Sequence, residues 1–234
     1  MSKRILSIVM SLIVATSLIG CGSSKTNEEG GNKDAAQTEN NGIKLVENDD
    51  LEGSWAKNYS LKQVQGFYKD YEAKVEKITK DLGLEYSKEE NIKEENGQTM
   101  NENIIYFDNE NPENNKMESM YFGLKTYGED LSSGQIILKL SLKFDGEKAI
   151  QDNSFDLGKT TFAKYIAAIT GQPDRNYSDL NNKILDGLKE GKAEVSVEDS
   201  IDGLNEEVIV SKDYVIYKLS TKKYDFSKAD INVE

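Results

Sequence analysis

The chain has 234 residues, of which 37% are hydrophobic and 30% are charged, and its formal net charge at pH 7 is −13. This length leaves room for one ordinary domain or two small ones. An acidic surface repels phosphate backbones, so we expect no nucleic-acid partner. The chain has no histidine and one cysteine. Nucleophile–histidine catalysis, histidine-bound zinc and a disulfide within the chain are thereby excluded, and we predict neither a cofactor nor a metal site.

The N-terminus has the pattern of a secretory signal peptide. Lys3 and Arg4 precede an apolar run from Ile5 to about Ile19. That run suits a signal peptide better than an uncleaved anchor, since a membrane-spanning helix needs about 20 apolar residues. We therefore predict that residues 1–20 are a signal peptide.

The end of this run, Leu18-Ile19-Gly20-Cys21, resembles the lipobox of bacterial lipoproteins. In that family an aliphatic residue, a tolerated position and a small residue precede an invariant cysteine. The resemblance implies that Cys21 carries a diacylglyceryl group and becomes the N-terminus after cleavage. It further implies anchoring on the outer face of the cytoplasmic membrane, and we expect a Gram-positive source. The alternative is that Cys21 is a free or buried thiol.

Residues 21–50 are predicted to be the lipidated cysteine and a disordered tether, because glycine, serine, asparagine and glutamate dominate them. Such a flexible segment has a root-mean-square span of roughly 30 Å. Ile43, Leu45 and Val46 within it could form an added edge strand. Residues 51–234 are predicted to form one extracytoplasmic α+β domain, with halves at 51–150 and 151–234.

The first half of this domain opens with a clear helix signal. Ser60 and Gln63 form a capping box, apolar residues then recur every three or four positions to Leu82, and Gly83 is placed to end the helix. Residues 85–101 are polar and are predicted to be a loop. Strands are predicted at 103–107, 120–127 and 135–144, with a turn at 108–116.

The second half begins with two predicted helices. The first has Phe162, Tyr165, Ile166 and Ile169 on one face and stops at Gly171, and the second runs from about 178 to Gly191. Strands are then predicted at 194–198, 207–211 and 214–221. The order helix, three strands, helix pair, three strands predicts an α+β fold whose antiparallel sheet has its helices on one face. It is similar to the tandem αβ order of beta-lactamase-inhibitor-like proteins and small envelope lipoproteins, although no residue motif carries that likeness.

Two stretches have some of the residues of a chemical motif. Asp156-Leu-Gly-Lys-Thr160 resembles the end of a phosphate-binding loop, but the glycine that this motif needs at 153 is Asn153. We interpret it as a turn before a helix. The acidic groups at 47–50, 108–110 and 199–207 lack the ligand spacing of a calcium loop, so we interpret them as solvated turns.

The aromatic residues give the candidate binding surface. Trp55 is the only tryptophan and lies four residues before Tyr59. On the strand at 120–127, Tyr121 and Tyr127 alternate away from the apolar face. Exposed tyrosine and tryptophan are typical of recognition surfaces, so we predict binding through Trp55, Tyr59, Tyr121 and Tyr127. The alternative is that these rings cover the sheet or pack under loops.

These features predict a membrane-anchored lipoprotein that acts as a non-enzymatic binding or interaction module at the cell envelope. Its partner would be an envelope protein or glycan. Two alternatives are an envelope glycan hydrolase that uses carboxylates alone and the substrate-binding lipoprotein of a transporter.

Overall fold

An eight-stranded antiparallel sheet is the centre of the fold in the computed structural model, which describes residues 51–229. Seven strands form a continuous path in the order β1-β2-β3-β4-β7-β6-β5, and β8 pairs with β4. The strands are β1 (Ser87–Glu95), β2 (Gln98–Asp108), β3 (Met117–Tyr127), β4 (Ser133–Lys143), β5 (Val195–Ile201), β6 (Leu204–Val210), β7 (Tyr214–Ser220) and β8 (Tyr224–Asp225).

Helices cover one face of this sheet. Tyr68 of the first helix stacks on Phe122 of β3, and Phe162 of the third helix contacts Tyr217 of β7. None of the helices in the part of the chain that the structure describes is long and apolar enough to cross a bilayer. The helices are α1 (Leu61–Asp81), α2 (Gly146–Gln151), α3 (Phe162–Thr170) and α4 (Ser178–Lys189).

The predicted α+β class, with an antiparallel sheet and helices on one face, is confirmed. β4 and β7 come from the two predicted halves, and they pair directly from Ile137↔Ser220 to Lys143↔Tyr214. The halves therefore share one sheet. The predicted signal peptide, Cys21, the tether and the edge strand at Ile43, Leu45 and Val46 lie outside the described residues.

Local sequence explains the clearest elements. The side chain of Ser60 accepts a hydrogen bond from the backbone N–H of Gln63, whose own side chain accepts one from the backbone of Ser60. This capping box starts α1, and Gly83 follows its end with a φ of +70°. In β4 every second residue from Ile136 to Leu142 (Ile136, Leu138, Leu140 and Leu142) is apolar and buried, which gives this strand its core face.

The predicted loop at residues 85–101 is wrong. Most of it forms β1 and the start of β2, so four strands, and not three, follow α1. β1 lies at the edge of the sheet and is almost entirely exposed, so its sequence SKEENIKEE shows no apolar alternation. The signal for it was Asn96-Gly97, whose φ values of 53° and 75° form a two-residue hairpin turn. The short helix α2, which starts after Asp145, was also missed.

A buried ion pair fixes the segment between α3 and α4 onto β6. Arg175 Nη1 and Nη2 donate to Glu206 Oε1 and Oε2 at 2.5 and 2.7 Å, and the side chains are 14% and 2% exposed. The hydroxyl of Tyr217 donates to Glu206 Oε1 at 2.6 Å. Burial, together with the charge of Glu206, raises the pKa of Tyr217 well above its ordinary value, so this hydroxyl stays a donor.

Candidate functional site

A pocket of about 230 Å³ opens where the start of the domain meets the end of α3. Its walls come from a short 3-10 turn at Ser54–Ala56, from α1, from the end of α3 and from the β5–β6 hairpin. It is lined by Ser54, Trp55, Tyr59, Phe67, Tyr71, Lys74, Ala168, Ile169, Thr170, Gly171 and Asp202.

Backbone contacts across the chain hold the tryptophan of this pocket. The N–H of Trp55 donates to the carbonyl of Asp202 at 3.0 Å, and the N–H of Ser54 donates to Asp202 Oδ1 at 2.7 Å. The hydroxyl of Tyr59 donates to the Ser54 carbonyl at 2.8 Å, and that of Tyr224 donates to the Trp55 carbonyl at 3.0 Å. The turn that carries Trp55 is therefore fixed from both sides.

Two glycines allow this close approach. The β5–β6 hairpin turns at Asp202 and Gly203, whose φ values are 50° and 85°. A Cβ at Gly203 would lie 2.5 Å from the backbone nitrogen of Ala56, and one at Gly53 would lie 2.3 Å from the carbonyl carbon of Asp202. A larger residue at either position would push the hairpin away from the Trp55 turn.

Four aromatic rings form the apolar wall. The ring of Trp55 lies 5.6 Å from that of Phe67, edge to face, and 5.3 Å from that of Tyr71. The Tyr59 ring meets Phe67 edge to face at 4.8 Å. Trp55 and Tyr59 are each 7% exposed, whereas Phe67 and Tyr71 are partly exposed. This interlocked arrangement gives the wall a fixed shape before any ligand arrives.

The electrostatic character of the pocket comes from Asp202 and Lys74. Burial raises the pKa of Tyr59 and of Tyr71. The charge of Asp202 adds to the shift of Tyr59, and the charge of Asp70, followed by that of Asp202, adds to the shift of Tyr71. The ammonium of Lys74 lies 4.3 Å from the centroid of the Tyr71 ring, which is the geometry of a cation–π contact.

The predicted site residues fall into two groups. Trp55 and Tyr59 lie together in this pocket, on the helix-covered side of the sheet. Tyr121 and Tyr127 lie on the opposite face of β3, as the alternation predicts. The structure therefore does not bring the four residues to one surface.

On that opposite face, Tyr121 and Tyr127 are held by polar contacts within the sheet. The Tyr121 ring lies over Gly123, where a Cβ would lie 2.5 Å from its hydroxyl oxygen, and that hydroxyl donates to Glu102 Oε1 at 2.8 Å. Gln135 Nε2 donates to the Tyr127 hydroxyl at 3.2 Å, and Tyr127 is 9% exposed. Both rings cover the sheet beneath them.

Carboxylates do not face each other across the pocket, since Asp202 is the only acid in its lining. On the sheet face, Glu102 and Glu95 both approach Lys125, at 4.0 and 3.4 Å. Burial opposes ionisation of Glu102, but Lys93 and Tyr121 outweigh it and lower the pKa of this carboxyl. Glu102 is therefore ionised at neutral pH and is a poor general acid.

Sequence reasoning missed the role of three residues in the pocket. Phe67 and Tyr71 fit the apolar repeat that predicts α1, so their pattern indicated packing and no binding role. Asp202 belongs to the acidic group at 199–207, which was interpreted as solvated turns. The interpretation of Asp156–Thr160 as a turn is confirmed, because Leu157–Lys159 forms a 3-10 turn just before α3.

Comparison with known proteins finds no family model, no curated protein and no solved structure that matches the chain. The function must therefore be argued from the geometry of the pocket and from the sequence.

Proposed function

We propose that the protein is a lipid-anchored module of the bacterial cell envelope that binds a ligand in this pocket without catalysing a reaction. The observation that carries the proposal is the convergence of four aromatic rings and one acid on a preformed cleft. Apolar and aromatic walls with a few fixed polar groups are the usual features of a ligand site. The partner would be an envelope glycan or protein that presents a small group to the pocket.

The hydrogen bonds that fix the wall of the pocket support a binding role. Its tryptophan turn is fixed by backbone hydrogen bonds to Asp202, a residue 148 positions further along the chain than Ser54. A site that is ordered before binding loses little conformational entropy when the ligand arrives. The resemblance of residues 18–21 to a lipobox supports the anchoring, and the acidic composition is consistent with a domain that stands off an anionic membrane surface.

Trp55 gives a direct test of the pocket because it is the only tryptophan. The chain from Gly22 onward retains every described residue and should show a change in tryptophan fluorescence when envelope-derived sugars, peptides or amines bind. Tyr71→Ala should weaken the binding about tenfold or more, because it removes one wall. Lys139→Ala, on the exposed opposite face of the sheet, is the matched control and should bind like the parent. A ligand whose affinity responds to Lys139→Ala and not to Tyr71→Ala would contradict the assignment.

The anchor has its own test. In the bacterial host, Cys21→Ala should lose incorporation of radiolabelled fatty acid and release the protein from the membrane fraction. Cys21→Ser removes the thiol with less change in size, so it should behave in the same way. Membrane retention of both variants at the level of the parent would contradict lipid anchoring at Cys21.

A further inference from the structure

The pocket is rich in groups that attract positive charge. The face of an aromatic ring is negative, and the face of Tyr71, one of four rings in the lining, already meets the ammonium of Lys74. The last residues of α3, Ala168 to Thr170, line the same cavity, and the C-terminal end of a helix carries partial negative charge. Gly171, with a φ of +71°, ends the helix at this wall.

Lys74 shares this lining with one acid, Asp202, which forms no close ion pair in the described part of the chain. One of its oxygens accepts the N–H of Ser54, which holds the carboxylate at the cavity wall.

Lys74 marks where a cation fits. Its ammonium lies over the Tyr71 ring at 4.3 Å, and its side chain is exposed on α1. An exposed lysine on a helix surface can turn away into water at small cost. The protein thus already places an ammonium group of its own against the pocket wall.

We propose that the pocket binds an organic ammonium group, a primary or quaternary amine with a small apolar body. The ammonium replaces that of Lys74 over the Tyr71 ring, Asp202 in the same lining attracts it across the cavity, and the apolar body lies against Trp55 and Phe67. This inference rests on the proposed function and names the class of ligand for the same site.

Other ligand classes fit less well. An anion would find the ammonium of Lys74, but Asp202 and the C-terminal end of α3 in the same lining would repel it. A calcium ion needs six or more oxygen ligands, and the lining offers one carboxylate between aromatic walls. A neutral sugar has no charge for Asp202 to attract.

Choline and its neutral isostere 3,3-dimethyl-1-butanol separate charge from shape. In titrations of the chain from Gly22 onward, followed by Trp55 fluorescence, we expect choline to bind about tenfold more tightly than the alcohol. Asp202→Asn keeps an oxygen for the N–H of Ser54 and should weaken choline binding about tenfold. Lys74→Gln should tighten it about two- to fivefold, because it removes the competing ammonium. Thermal unfolding of both variants verifies that they fold, and Lys74→Gln changes only an exposed position.

Two results would overturn the inference. One is equal affinity for choline and its isostere, and the other is an affinity for choline that neither Asp202→Asn nor Lys74→Gln changes. In either case another ligand from the envelope screen would still uphold the proposed function, which fails only if no ligand reaches the pocket. Glucosamine oligomers and their N-acetylated forms distinguish the source of the amine. Binding of the free-amine oligomers alone assigns the ammonium to a glycan, and binding of choline without either oligomer assigns it to a small molecule.

Discussion

Replacing Arg175 with methionine should lower the free energy of unfolding by about 3 to 5 kcal/mol. The change keeps the aliphatic stem but leaves the Glu206 carboxylate, 2% exposed, with the Tyr217 hydroxyl and without its bidentate cation. For a domain of this size the loss corresponds to a fall in Tm of about 10 °C. Urea unfolding followed by circular dichroism measures it.

Two further variants make that result specific. Adding Glu206→Gln to Arg175→Met should restore most of the lost stability, because the unpaired buried charge is gone. Lys77→Met breaks an ion pair whose side chains are 74% and 60% exposed, so it should cost less than about 1 kcal/mol. If Arg175→Met cost no more than Lys77→Met, the buried pair would not have the structural role assigned to it.

Gly203→Ala should destabilise the protein by about 2 to 4 kcal/mol and disturb the pocket. Part of the cost is the positive φ of 85°, and the rest is the collision of the new Cβ with the backbone nitrogen of Ala56 at 2.5 Å. Because Trp55 precedes Ala56 in the same turn, its fluorescence spectrum should change as well.

Gly97→Ala is the matched control for this prediction. Gly97 also lies at the second position of a two-residue hairpin turn, with a φ of 75°, but a Cβ there meets nothing within 4 Å. We expect a cost of about 1 kcal/mol from the backbone alone and an unchanged Trp55 spectrum. Equal effects of the two substitutions would show that the hairpin does not press on the Trp55 turn.

Elements with a one-sided apolar pattern could be predicted from the sequence. α1 has a capping box and a repeated apolar face. β4 places Ile136, Leu138, Leu140 and Leu142 on one buried face, while Lys139 and Lys143 on the other face are exposed. β1 could not be recognised in this way. It is an edge strand that is exposed to water on both faces, so its side chains show no apolar pattern that would predict a strand. The Asn96-Gly97 turn was the signal for a hairpin.

The pocket could be predicted only in part, since several of its residues meet through contacts between segments that are far apart in the sequence. Trp55 and Tyr59 were found as an aromatic pair because they are close in sequence. Asp202 joins them through the packing of a hairpin from the other end of the domain, and no local pattern specifies that contact. The grouping of Trp55 with Tyr121 failed for the same reason, because strand alternation assigns a face within one strand and does not say which elements cover it.

The indole N–H resonance of Trp55 reports whether a ligand enters the pocket. The protein has one tryptophan, so a ¹⁵N–¹H spectrum of the labelled chain contains a single indole signal that reports on this pocket. On titration with the tightest ligand of the screen, we predict shifts of this signal and of the amides of Ala168 to Gly171. Shifts confined to β3 and β4 around Tyr121 and Lys139, with an unchanged Trp55 indole signal, would place the binding surface on the opposite face of the sheet and not in the pocket.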